Sequence, residues 1–243
     1  MTKSWALSDP GTVRKVNEDN LLCRPDLGLW VVADGAGGHS SGAMASGMIV
    51  EHLNRLTGDF PIVTLVEKVR EVMGGVHAQL RADAEALGQQ VVIASTFVAL
   101  ILQGDQFVCL WMGDSRIYLL RQKQLRQITK DHSLVQELID LGKLAAADAE
   151  RHPRANVITR AVGADTGRLE IDQVGGMIAP GDRFLLCSDG ISKTLALEEI
   201  AELLAANDAT SPAQGLIAAA RARQVRDNVT AIVVHIPPAQ PGS

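Results

Sequence analysis

The chain has 243 residues, of which 47% are apolar, 21% charged and 3% aromatic, and its formal net charge is −5. That composition fits a globular protein with a core of Val, Ile, Leu, Ala and Met. With no basic tract it gives no support for nucleic-acid binding, and no apolar run is long enough to span a bilayer.

Strand-like apolar runs open the chain at 4–7, 20–24 and 28–33. A helix follows, capped by Ser40 or Ser41, with Ala45, Met48, Ile49, Leu53 and Leu56 on one face. A second, longer helix carries Leu65, Val69, Val72, Met73, Val76 and Leu80, and Gly74-Gly75 should weaken its middle. Strands come next at 94–102, 106–112, 116–121 and 124–128. The connections Gly104-Asp105 and Gln122-Lys123 are of hairpin length, which implies antiparallel pairing.

The stretch 129–163 is polar, partly helical and rich in His, Asp and Arg. It reads as an insertion over one end of the sheets, a flap. A strand at 183–187 leads to a closing helix pair at 197–206 and 212–223, with Ser211 as N-cap and Pro212 at the first helical position. A strand at 229–236 and a proline-rich tail end the chain. There is no internal repeat or linker, so the expected organisation is one domain over 1–236 with a short tail, 237–243. Strand blocks separated by helix pairs argue for an α+β architecture with antiparallel sheets.

Five acidic signatures stand out: Asn17-Glu18-Asp19, Asp34-Gly35-Ala36-Gly37-Gly38, Gly113-Asp114-Ser115-Arg116, Ser188-Asp189-Gly190 and Asp227-Asn228. Each sets a carboxylate at or beside a turn, most of them next to an apolar strand. Singly, each is as readily a turn or a cap. Together they need more positive charge than the few nearby basic residues supply, and hard divalent cations would provide it. Asp34 ends a strand and is followed by glycines that let a main-chain carbonyl approach the same ligand. Cys23, Cys109 and Cys187 are unevenly spaced in apolar runs and read as buried free thiols. Met1-Thr2-Lys3-Ser4-Trp5 has no signal-peptide core, so the cytoplasm is the expected compartment.

The stretches Asp9-Pro10-Gly11-Thr12-Val13-Arg14, Asn17-Glu18-Asp19, Val32-Ala33-Asp34-Gly35-Ala36-Gly37-Gly38-His39, Gly113-Asp114-Ser115-Arg116, Asp131-His132-Ser133, Ser188-Asp189-Gly190-Ile191 and Arg226-Asp227-Asn228-Val229-Thr230 share an order and spacing. In these the chain resembles the bacterial branch of the PP2C (PPM) family of metal-dependent Ser/Thr protein phosphatases. The resemblance runs from residue 9 to residue 230. More faintly, it extends to phosphatases associated with type VI secretion.

The resemblance implies an α-β-β-α sandwich of two antiparallel sheets flanked by helix pairs. It implies two Mn²⁺ or Mg²⁺ ions, bridged by Asp34, with the Gly35 carbonyl on one and Asp189 and Asp227 on the other. Asp114 matches the position that helps hold a third ion. Glu18 and Asp19, with Asn228, would act as outer-shell groups, and Arg14 would hold the substrate phosphate. An all-oxygen ligand set selects Mg²⁺ or Mn²⁺ over zinc. The implied chemistry is direct attack on phosphorus by a hydroxide bridging the metals, so no cysteine is catalytic. Expected partners are phosphorylated proteins and a cognate Ser/Thr kinase, without nucleic acid or membrane insertion, and the expected state is a monomer.

Departures from the family pattern accompany the match. Ala36 stands where many members from higher organisms carry a His and the bacterial branch a Met. His39 is a nearby alternative acid, although a helix-start role is more usual for such a residue. Lys193 stands where relatives often have an acidic or amide residue; it brings a positive charge to the site entrance or is a solvated loop lysine. Without the family match, Arg14 reads as a surface salt-bridge residue. His132 and His152, in the flap, carry no catalytic expectation. Competing functions are a pseudophosphatase that binds phosphoproteins or a kinase, and a small-molecule metal phosphohydrolase.

Overall fold

The structure, a computed structural model, describes residues 2–37, 41–88, 91–164, 169–206 and 211–238. The proposed cap Ser40, the alternative acid His39, Gly38 and most of the tail lie outside the described residues. In chain order the elements are β1 (Lys3–Asp9), β2 (Asp19–Arg24), β3 (Leu29–Ala36), α1 (Ser41–Asn54), α2 (Ile62–Leu87), β4 (Ala94–Ser95), β5 (Phe97–Gln103), β6 (Gln106–Met112), β7 (Arg116–Arg121) and β8 (Gln124–Gln127). Then come α3 (Leu134–Asp140), a 3₁₀ turn (Ala146–Arg151), β9 (Asp172–Met177), β10 (Arg183–Cys187), α4 (Asp189–Ser192), α5 (Leu197–Ala205), α6 (Pro212–Ala222) and β11 (Val229–His235).

The strands form two antiparallel sheets. One runs β1-β11-β10-β7-β8 and the other β2-β3-β5-β6-β9, with β4 paired to β3. Alternation along the strands explains the layering, because successive side chains point to opposite faces. Trp30 and Val32 of β3 meet Phe184 and Leu186 of β10 and Ile232 and Val234 of β11 between the sheets. Val31 and Ala33 point the other way, onto Ile49 and Leu53 of α1 and Val69, Met73 and Leu80 of α2. On the opposite side Leu185, Cys187, Ala231 and Val233 pack on Ile200, Leu204, Leu216 and Ile217 of α5 and α6. The central strands are therefore buried on both faces, which is why they read as unbroken apolar runs.

Local signals mostly hold. Ser211 and Gln214 form a reciprocal capping box ahead of Pro212, as expected. Gln122 and Lys123 both have positive φ, 51° and 64°, as a two-residue hairpin of the I′ kind requires. Helix α2 runs as one helix through Gly74 and Gly75, as the sequence reading had it, with its buried apolar stripe outweighing the glycine penalty. One finding differs from the sequence reading. Strand β9 was not anticipated; Asp172-Gln-Val-Gly-Gly-Met is an exposed edge with little apolar pattern. Within 129–163, Ser133 caps α3, and a bridge between Ser95 and Val162 ties the end of this segment back beside β4.

Candidate functional site

The sheets meet at one end in a carboxylate-lined mouth, to which both contribute. Asp34 lies two residues before the end of β3, and Asp19, its register partner, begins β2. From the other sheet, Asp189 follows β10 and Asp227 precedes β11. Asp114 sits on the turn from β6 to β7, which passes from one sheet to the other. Thus five residues from Asp19 to Asp227, spread along most of the chain, converge because strand ends do.

The backbone at Asp34 is fixed from outside its own strand. Its N–H donates to Thr96 Oγ1 at 3.1 Å, and its carbonyl accepts from the Thr96 N–H at 2.8 Å and the Ser95 hydroxyl at 2.9 Å. The next residue, Gly35, packs against Gly42 at the start of α1. A Cβ on Gly42 would stand 2.7 Å from the Gly35 carbonyl oxygen and 2.9 Å from Glu18 Oε1. The missing side chain therefore leaves a cradle with two oxygens at its edge. Ser46 of α1 donates to the Glu18 carbonyl, and the Asn228 amide oxygen accepts from the Glu18 N–H at 2.9 Å. The Asn228 amide nitrogen donates to the Pro10 and Val16 carbonyls, each at 3.1 Å. Asn228 thus holds the loop that carries Arg14 and Glu18.

Asp19 is 5% exposed. Its Oδ2 accepts from the Ser188 and Thr230 hydroxyls, both at 2.7 Å. With Thr230 donating to Asp19, the Ser8 hydroxyl donates to Thr230 at 2.7 Å and accepts from the Asn17 amide at 2.7 Å. The result is a directional chain ending on one carboxylate oxygen. Burial pushes the Asp19 carboxyl up to about 7; the two hydroxyls oppose that shift and Asp189 and Asp227 add to it. Asp34 is pushed well above the ordinary carboxylate range, by burial first and then by Asp19, Asp189, Asp114 and Asp227. Asp189 is raised by burial and by Asp114, with Lys193 working against both.

Two cations partly offset this charge. Arg14 grips Asp227 with both arms of its guanidinium, Nε to Oδ1 and Nη2 to Oδ2, each at 3.0 Å. This is an ion pair of half-exposed side chains, the kind its position alone suggested, made with a proposed ligand. Lys193 does not reach into solvent as a loop lysine would. Its Nζ lies 2.8 Å from both Asp114 Oδ2 and Asp189 Oδ2.

The donor set fits a hard divalent cation. Every candidate ligand is an oxygen. The Oδ1 atoms of Asp19 and Asp114 are buried and have no hydrogen-bond partner. Among the described residues, no three acidic, histidine or cysteine side chains close on one point tightly enough to cage an ion unaided. Arg14 and Lys193, which engage Asp227, Asp189 and Asp114, hold that space instead.

Neighbouring polar residues have structural work. Arg116 makes a bidentate pair with Asp131 at 2.8–3.1 Å and also donates to the Tyr118 hydroxyl. His132 accepts from the Gly113 N–H through Nδ1 and stacks on Trp111. Sequence reasoning quoted Ser188 and Thr230 within the acidic motifs but gave neither of them, nor Ser8, a role of its own.

The protein phosphatase 2C family model matches residues 13–227. The chain is 35% identical over 233 residues to the serine/threonine protein phosphatase PstP of Mycobacterium tuberculosis, covering 95% of this chain and 44% of that protein. It therefore spans less than half the length of that relative. Among solved structures it is similar to PppA, described as a key regulatory component of T6SS in Pseudomonas aeruginosa. That match has 42% identity, a TM-score of 0.87 and 96% coverage of both chains. It is also similar to the PstP catalytic domain in complex with two manganese ions, with 32% identity, a TM-score of 0.82 and coverage of 97% and 98%.

Proposed function

The chain belongs to the protein phosphatase 2C family, and from that premise we propose that it hydrolyses phosphoserine and phosphothreonine in proteins, reversing the action of a bacterial Ser/Thr kinase. The observation that carries the reading is the meeting of Asp34, Asp114, Asp189 and Asp227 with Arg14 at one mouth between the sheets. Asp34, the Gly35 carbonyl, Asp189 and Asp227 would hold two Mn²⁺ or Mg²⁺ ions. Bound there, such ions supply Lewis acidity, which makes water a better nucleophile and offsets charge on the phosphoryl oxygens.

The remaining roles fall to the chain itself. Arg14 binds the phosphate of the substrate; its planar fork matches two phosphoryl oxygens as it now matches two carboxylate oxygens. Glu18 and Asp19 orient water, and Asn228 keeps Glu18 and the Arg14 loop in register. Ala36, at the end of β3, offers no proton to the departing serine or threonine oxygen. No thiol takes part: burial pushes Cys187 up to about 12, far from a thiolate at neutral pH. Among the described residues no helix is long and apolar enough to cross a membrane.

The test is phosphate release from a phosphothreonine peptide in EDTA and after adding Mn²⁺ or Mg²⁺, beside Asp189→Ala and a small phosphate ester. Metal-restored release that the variant lacks is expected. Release from the ester but not the peptide would redirect the assignment to small molecules, and none from either would favour a phosphoprotein-binding role.

A further inference from the structure

Lys193 is the feature of this mouth that the proposed function leaves unused. It caps the short helix α4 that begins at Asp189, and its N–H closes onto the Asp189 and Ile191 carbonyls. That turn brings the side chain back over Asp189, four residues earlier, and across to Asp114 on the β6–β7 turn. Asp114 is 2% exposed. A carboxylate buried that deeply needs a positive partner, and the Lys193 ammonium lies 2.8 Å from its Oδ2. The lysine side chain is 28% exposed. It lines both a cavity of about 280 Å³ with Asp114, Arg116, Asp131 and Asn156, and the open cleft beside Asp189 and Asp227.

Resting on the two-metal reading of this site, we infer that the Lys193 ammonium is the third cation of the centre, covalently tethered, so that the chain takes two divalent ions and no third at Asp114. An ion there would compete with the ammonium for Asp114 Oδ2 and Asp189 Oδ2, and Asp114 would be left only its buried Oδ1 to offer, at roughly 2.0–2.6 Å. It would also face that ammonium's positive charge at close range. Charge balance points the same way. Glu18, Asp19, Asp34, Asp114, Asp189 and Asp227, when ionised, carry six negative charges, which Arg14, Lys193 and two divalent ions match.

The experiment counts metal. The full chain, Lys193→Met, Lys193→Asn and Lys193→Met/Asp114→Asn are dialysed to equilibrium against excess Mn²⁺, and bound metal per chain is measured by mass spectrometry, with folding followed by circular dichroism. Two ions in the wild type, three in either single variant and two again in the double variant are expected. The asparagine variant keeps a polar side chain at the cleft, so it guards against a methionine variant that fails to fold. Three ions in the wild type, or two in both folded single variants, would overturn the inference while leaving the two-metal centre standing. No bound ion in any of the proteins would overturn the centre itself and the inference with it.

Discussion

Asp19 shows how one buried side chain can set a pH dependence. Its carboxyl rises from an ordinary 3.8 to about 7 in the folded chain, so folding favours its protonated form. The stability this contributes is fully present below about pH 4 and is lost as pH rises through 7. In metal-free protein Asp19→Asn should flatten the fall in stability between pH 5 and pH 8, by on the order of a few kcal/mol. Denaturant melts at the two pH values in EDTA read this directly, and an unchanged slope would count against a buried, proton-binding Asp19. The acidic residue itself was legible, because Asn17-Glu18-Asp19 marks a strand start. Its partners were not: Ser188 and Thr230 lie 169 and 211 residues away, and a hydroxyl on a strand carries no periodic signal. Lys193 was legible as a charge, but only the fold shows that it reaches Asp114, 79 residues away.

At the scale of elements, α2 shows packing outweighing a local weak point. Its buried stripe of Leu65, Val69, Met73, Val76 and Leu80 holds the helix through two adjacent glycines. A Cβ at Gly74 or at Gly75 would meet nothing within 4 Å. Each change to alanine should therefore stabilise the protein by about 0.5–1 kcal/mol, seen as a rise in Tm with activity unchanged. Gly42 gives the opposite case. Its missing Cβ lets α1 approach the Gly35 carbonyl, so Gly42→Ala should displace the helix from β3 and lower both stability, by about 1–3 kcal/mol, and turnover. Most strands and helices were legible because apolar runs and caps are local. Strand β9 was not, since an edge strand with five of six residues exposed has no apolar alternation to read.

For the whole molecule, the mouth is a seam. Asp34 belongs to one sheet, while Asp189 and Asp227 flank strands of the other. Ions held by all three would bind the folded sandwich and not the open chain. Mn²⁺ at about 100 times its dissociation constant should then stabilise the protein by about 2.7 kcal/mol, and Asp34→Ala should remove most of that shift. Thermal melts with Mn²⁺ and with EDTA provide the measurement; an equal shift in the variant would argue that metal binds elsewhere. The sheet order behind this seam was not legible from local pattern. Pairing β1 with β11, which sets Ser8 opposite Thr230, depends on packing between the two ends of the chain. The layered architecture was reached through the family resemblance.

The grip of Arg14 on Asp227 has a consequence in time. One guanidinium cannot hold a carboxylate and a phosphate with the same two arms, and Asp227 cannot give the same oxygens to an ion while it is clasped. On the proposed function, loading of Asp227 by metal would release Arg14 for the incoming phosphate. The site would then assemble in a fixed sequence, metal first and phosphate second.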